Sequence, residues 1–241
     1  MSSSIPWRLG HRRGPAATLL APWPTEEERH LRQVAICQVQ GPAAVVLGST
    51  QRRDLTADSQ AGSDGPGPVM VRRRTGGGAV WVAPGAQAWV DAWIPRDDPL
   101  WDDDVVAAAR FLGEAWRQAL LPLGLAADRV TVHQGRLLDG PWSATVCFAG
   151  VGPAEVLVDG RKLVGLAQRR TRHGAWFHTS AHWRWDPAPL VAALDAHGWL
   201  PVDAARAEHE LRPLALGLGD VVAAAGPEVV ADAVTAAVVS R

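Results

Sequence analysis

"AEVLVDGRKLVGLAQ", Ala154 to Gln168, decides the fold class. Two apolar runs flank Asp159-Gly160, a dipeptide suited to a two-residue turn because both residues tolerate positive φ. The stretch predicts an antiparallel hairpin with Lys162 opposite Leu157 and on the same face as Val164. Lys162 is also the sole lysine among the 24 lysines and arginines of the chain. Where any cation would serve, this composition supplies arginine. A compact ammonium on a thin stem does what a planar guanidinium cannot in a tight site, so Lys162 is a candidate for chemistry.

Working outward, "VAICQV", "AAVVLG", "VMVRRR", "AVWVA" and "AWVDAWI" read as strands, and β-like alternation runs from Val130 to Trp185. "DPLWDDDVVAAARFLGEAWRQALLPLGL" is the longest helical pattern. Asp102 to Asp104 crowd its start, Val105, Ala109, Leu112 and Trp116 form one face, and Pro122 and Gly124 end it. "PTEEERHLRQ" reads as a helix start with Thr25 as N-cap and Glu28 at the box position. "PAPLVAALDAHGWL" and "GPEVVADAVTAAVV" read as helices, and the polar, Gly/Pro-rich stretch from 54 to 68 as a surface loop. The expectation is an α+β fold, a mainly antiparallel or mixed β-sheet with packed helices, in one domain spanning 1–241.

Composition narrows the function classes. A net charge of −1 gives no general pull toward nucleic acid or anionic membranes. Two cysteines, Cys37 and Cys147, are too few for a disulfide scaffold, which points to a reducing cytoplasm. No apolar run is long enough to span a bilayer. Arg12 and Arg13 precede an apolar run that Pro22 and Pro24 break, so an export signal is discounted.

"RRRTGGGAVW", Arg72 to Trp81, places three glycines between strand-like runs. Such a loop lets another molecule approach the backbone, and its N–H groups with neighbouring arginines suit an anion; the plainer alternative is a basic hairpin loop. It is not a P-loop, since no Lys-Ser/Thr follows. Cys147 is either a small buried hydrophobe or a reactive thiol. The second needs a cation nearby, and Lys162 is the nearest the sequence offers. Cys37, inside "VAICQV", is core. His178 and His182 have i,i+4 spacing, but "WFHTSAHWRW" alternates like a strand, which separates the pair and argues against a metal site. Trp81, Trp89 and Trp93 are placed to wall an apolar slot.

Together these stretches resemble the lipoate-protein ligase A and octanoyltransferase family, whose catalytic fold is shared with biotin-protein ligases. "AVVLGSTQ" (Ala44 to Gln51) is similar to its Leu-Gly-x-x-Gln segment, "RRRTGGGAVW" to its Arg-Arg-x-x-Gly-Gly-Gly-x-Val motif, and "DGRKLVGLAQRR" to its Gly-x-Lys-x-x-Gly-x-Ala segment. The resemblance implies attachment of a lipoyl or octanoyl group to a lysine of a lipoyl carrier domain, such as glycine-cleavage H protein or 2-oxoacid dehydrogenase E2. It implies acyl or adenylate contacts from Arg72, Arg73, Gly76, Gly77, Gly78, Ala79, Val80, Gly165, Ala167 and His178. In the ligase branch, ATP and Mg²⁺ form an acyl-adenylate, and Lys162 holds its phosphate and carbonyl oxygen. In the octanoyltransferase branch, which "VCFAGVGPAEVLVDGRKLVG" resembles, Cys147 takes octanoyl from an acyl-carrier protein without ATP. The ligase is the first expectation here, with or without a separate accessory chain, and the transferase the alternative. Leu166 stands where the family often has Ser or Thr, Thr179 where it has Gly, and the asparagine many members carry after the glycine of "APGAQAWVD" is absent. Leu166 and Thr179 support a third reading, a non-catalytic acyl-binding member.

Overall fold

The computed structural model describes residues 6–52 and 67–241. Most of the loop expected over 54–68 therefore lies outside the described residues. The hairpin forms as read. β8 (Val156–Val158) and β9 (Arg161–Arg170) pair antiparallel, with Leu157 opposite Lys162. Asp159 and Gly160 have φ of 49° and 75°, the mirror-image turn that matches strand twist.

One detail differs. Val156 pairs with Val164 while Leu157 pairs with Lys162, so β9 carries one extra residue. This bulge sends both Leu163 and Val164 into the main core. Lys162 therefore lies on the side of Gly165, where a Cβ would stand 3.6 Å from Lys162 Cε, and does not share a face with Val164.

β1 (Arg8–Gly14), β2 (Gln33–Val39), β6 (Gln87–Pro95), β7 (Val130–Val132) and β10 (Gly174–His182) complete a seven-stranded mixed sheet. Its order is β1-β2-β6-β10-β9-β8-β7, with β1 and β2 parallel and the other pairs antiparallel. Alternation gives each strand two audiences. Val90, Ala92, Ile94, Ala175 and Phe177 face α2 (Arg110–Leu120) and α5 (Pro227–Val239) in the main core. Trp89, Asp91, Trp176, His178 and Ser180 face the other way.

That second face is covered by a three-stranded sheet in the order β4-β3-β5: β3 (Ala44–Leu47), β4 (Val69–Arg72) and β5 (Val80–Val82). Val46, Val82 and Trp89 pack together between the sheets with Leu19 and Leu20, at the end of α1 (Ala16–Leu19). α3 (Ala188–Ala196) and α4 (Ala204–Leu211) bury the outer side of the small sheet with Trp142 and Val146.

Four expectations change. "PTEEERHLRQ" forms turns without a helix; Glu28 pairs with Arg8, and Arg32 is drawn into a buried ion pair with Asp98 just before β2 begins. α2 begins at Arg110, so Asp102 to Asp104 precede it and Val105 is half exposed, off the packed face of Ala109, Leu112 and Trp116. α4 was not anticipated, although Asp203 Oδ1 caps it by accepting the Arg206 N–H at 2.9 Å. The glycine loop joins β4 and β5, which flank β3 and do not pair, so it is a crossover and no hairpin.

Buried His182 packs against the stacked pair of Phe148 (ring centroids 4.7 Å) and Trp185 (5.5 Å), and burial lowers its pKa to about 4. The unfolded histidine binds its proton near pH 6.5, so the folded chain is favoured above that pH. Between pH 6.5 and 4 this contribution falls away, by about 3 kcal/mol in all. His182→Phe, which keeps an aromatic ring, should flatten that limb in urea melts taken across this pH range.

Candidate active site

The elements meet at a narrow, mostly apolar slot between the two sheets. Leu20, Val46, Val80 and Val82 form one wall, Trp89, Gly165, Ala167, His178 and Ser180 the other, with Cys147 and Phe148 alongside. Gly165 and Ala167 keep the β9 wall flat, and a Cβ at Gly165 would press on the Phe148 ring at 3.3 Å.

Cys147 opens a single 3₁₀ turn, Cys147–Ala149, which other segments lock in place. Gln51 Nε2 donates to the carbonyls of Ala144 (3.0 Å) and Thr145 (3.2 Å). Ala79 N–H donates to Thr145 O and Cys147 N–H to Ala79 O, both at 2.8 Å. Each glycine of the triplet has its own reason. Gly76 faces open space. Gly77 has φ of 94°, and a Cβ there would stand 2.9 Å from Arg73 Nη2 and 3.9 Å from Cys147 Sγ. Gly78 lies so close to the Val146 backbone that a Cβ would stand 2.6 Å from it. Gly78→Ala should thus cost about 1–3 kcal/mol through overpacking, against less than about 0.5 kcal/mol for Gly76→Ala. Urea denaturation of the two variants checks the contrast.

The arginines serve this scaffold. Arg72 donates to the carbonyls of Gly48 and Gln51. Arg73, 5% exposed, donates to Val46 O (3.2 Å), Gly76 O (2.7 Å) and Gly78 O (2.9 Å). Its Nη2 also lies 3.8 Å from Cys147 Sγ. Arg73 thus stands beside the thiol sulfur, while Lys162, which the spacing placed near Cys147, meets its carbonyl oxygen.

Lys162 is 2% exposed and holds the turn from below. Nζ donates to Cys147 O (2.8 Å) and Gly150 O (2.9 Å), stands 2.6 Å from Glu155 Oε2, and lies 5.2 Å from the Phe148 ring centroid. Glu155 in turn accepts the N–H of Gly152 (2.7 Å, Oε2) and of Leu166 (2.9 Å, Oε1). All three ammonium protons are committed, and one buried unit joins the cysteine turn to β9.

His178 Nδ1 is 2.9 Å from Asp91 Oδ1. Asp91, fully buried, also accepts from Trp89 Nε1 (2.6 Å), Trp176 Nε1 (3.1 Å) and Arg12 Nη1 (3.1 Å). This network fixes the imidazole at the slot wall. Asp91 went unread in the sequence because it stands alone among apolar neighbours in "AWVDAWI". Of the three tryptophans expected at the slot, Trp89 lines it, Trp93 lines a neighbouring groove, and Trp81 packs toward α3 and α4. Of the two departures, Thr179 falls off the lining, while Leu166 is part of it. Thr179 Oγ1 donates to Val90 O at 2.6 Å, and the Leu166 side chain packs against the helix-side core. Cys37 is buried, and burial pushes its thiol well up.

The sequence profile of the lipoyl protein ligase A/B catalytic domain matches residues 26–206. The chain belongs to this family. Two curated relatives are named octanoyltransferase LipM. That of Exiguobacterium sp. is 33% identical over 58% of this chain and 50% of its own length. That of Kyrpidia tusciae is 31% identical over 64% and 55% respectively, so the chain spans about half the length of the curated relatives it matches. Among solved structures, a lipoate-protein ligase A bound with ATP superposes with a TM-score of 0.65 at 19% identity, covering 97% of this chain and 84% of that one. The bipartite lipoate protein ligase of Thermoplasma acidophilum gives 0.62 at 18% identity, covering 97% and 82%. The α+β fold with its mixed sheet is therefore that of the lipoate-ligase catalytic domain.

The ligase branch implies ATP and Mg²⁺, and Lys162 as placed here does not fit the phosphate-holding role that branch gives it. Lys162 has no donor to spare for a phosphate, and Glu155 places a carboxylate 2.6 Å from Nζ. Among the described residues, no group of three or more His, Cys, Asp or Glu side chains is arranged to hold a metal ion. No step is derived through either.

Proposed function

We propose that this chain is an octanoyltransferase that works through Cys147. The observation that carries the reading is the Cys147 thiol at an apolar slot with the Arg73 guanidinium 3.8 Å from Sγ. In the first half-reaction, Cys147 Sγ attacks the carbonyl carbon of an octanoyl thioester on an acyl-carrier protein. The new C–S bond forms as the carrier's C–S bond breaks, and the carrier sulfur leaves as thiolate and takes up a proton. Arg73 is the counter-charge for the Cys147 thiolate. In the second, the neutral ε-amine of a lysine on a lipoyl carrier domain attacks the Cys147 thioester. The amide forms, Cys147 departs as thiolate, and the proton shed by the amine nitrogen passes to solvent. Lys162 and Glu155 act as positioning residues, holding the turn that presents the thiol. The acyl chain lies against Leu20, Val46, Val82 and Trp89, and the thiol suits a reducing cytoplasm.

The names of the two relatives support this branch over the ligase. Thr179, whose hydroxyl is turned to Val90 O and away from the slot, removes one of the two departures that favoured simple binding. Mass spectrometry of a lipoyl carrier domain tests it in two arms, octanoyl-acyl-carrier protein without ATP and lipoate with ATP. Octanoylated carrier in the first arm alone is the expected result. Lipoylated carrier in the second arm alone would replace this reading with the ligase, and no product in either would leave a binder.

A further inference from the structure

The slot does not end at Ala167 and His178. Two residues further along the same faces of β9 and β10 stand Arg169 and Trp176, which line a groove of about 150 Å³ with Trp23, Trp93, Arg29 and Arg74. The sequence is decisive about its charge. The lining contains three arginines and no aspartate or glutamate. Arg29 has one acidic partner, Glu26 at 3.2 Å, but the Glu26 side chain is 87% exposed, where water screens the pair. Arg169 spends one donor on the Arg74 carbonyl (3.2 Å). The Arg74 side chain has no hydrogen-bond or ion-pair partner among the described residues. Two of the three indole N–H groups are already taken, Trp93 by Arg29 O and Trp176 by Asp91, so the groove offers flat aromatic surface and guanidinium donors.

The groove is also at a defined distance from the chemistry. Arg74 follows Arg73, which touches the thiol. Arg169 is four residues along β9 from Gly165, or about 13 Å at strand rise. A molecule bonded at Cys147, which lines the slot with Gly165, that ran along this face would bring its far end toward Arg74 and Arg169.

We propose that this groove binds the phosphate of the acyl donor, the phosphodiester at the far end of a phosphopantetheine-type thioester arm. The proposal rests on the octanoyltransferase reading and adds to it how the donor is recognised. The arm's length and amide-rich, largely apolar course suit a path from the thiol across tryptophan faces. The arginines supply paired donors for the phosphate oxygens.

The test compares two donors differing only in that group, octanoyl-4′-phosphopantetheine and phosphate-free octanoyl-pantetheine, by the rate at which each acylates the protein. Binding of acyl-free 4′-phosphopantetheine and of ATP is titrated in parallel. The parent should favour the phosphate-bearing donor at least about tenfold in kcat/KM. In Arg74→Ala/Arg169→Ala the preference should shrink below about twofold, and 4′-phosphopantetheine binding should weaken by a similar factor. Both arginines are at the surface, so a thermal melt verifies the variant's fold. Equal acylation by both donors, or an undiminished preference in the double variant, overturns the groove assignment while leaving the transferase standing. A parent acylated by neither donor removes the transferase reading, and the titration then still reads the groove. ATP binding that depends on these arginines, with none of 4′-phosphopantetheine, would assign it to a nucleotide and overturn the proposal.

Discussion

Cys147→Ser should lower octanoyl transfer to a lipoyl carrier domain by at least about 10³-fold, because removing a covalent relay removes the path and not one contact along it. The same change should barely touch the fold. Cys147 is only partly buried, its N–H and C=O keep their bonds to Ala79 and Lys162, and a hydroxyl in place of the thiol costs at most about 1–3 kcal/mol. Steady-state transfer assays beside urea melts separate the two effects. A serine variant that transfers octanoyl at near-parental rates would leave Cys147 as a slot-lining side chain.

The second large effect is on stability. Lys162→Ala should destabilise the chain by about 3–5 kcal/mol, because it leaves the Glu155 carboxylate, 3% exposed, without its counter-ion. Lys162→Arg should do little better. The three acceptors of the ammonium, Cys147 O, Gly150 O and Glu155 Oε2, lie 2.6–2.9 Å from one nitrogen, a geometry that a broad planar fork cannot reproduce. Adding Glu155→Gln to Lys162→Ala should recover part of the loss, since the orphaned charge is then gone. Urea denaturation of the single and double variants gives the coupling directly. This is why a chain that otherwise writes its cations as arginine keeps one lysine: the site is a closed, three-acceptor knot under the cysteine turn.

Much of this was legible in the sequence where the signal is local. Asp159-Gly160 between apolar runs gave the hairpin and the Leu157–Lys162 pairing, short apolar runs gave β2 and β6, and alternation gave β10. The glycine triplet and the lone lysine, singled out separately, meet at the Cys147 turn. What stayed hidden depends on approach between distant segments. Arg73 and Cys147 are separated by 74 residues, and Arg12 and Asp91 by 79. Periodicity carries no information on such contacts. The bulge at Leu163 was invisible for a related reason: "KLVG" is apolar on both faces, so no alternation marks the slip that turns Lys162 toward Gly165. "PTEEERHLRQ" misled because its acids read as a dipole-matched first turn, while tertiary ion pairs to Arg8 and from Arg32 to Asp98 claimed the segment.

The most direct test of the central claim is peptide-level mass spectrometry of the parent protein after brief incubation with octanoyl-acyl-carrier protein, with no ATP and no carrier domain present. The account predicts one octanoyl increment, located on Cys147, that hydroxylamine removes and a lipoyl carrier domain discharges. An unmodified Cys147, with the increment absent or on another residue, would contradict it.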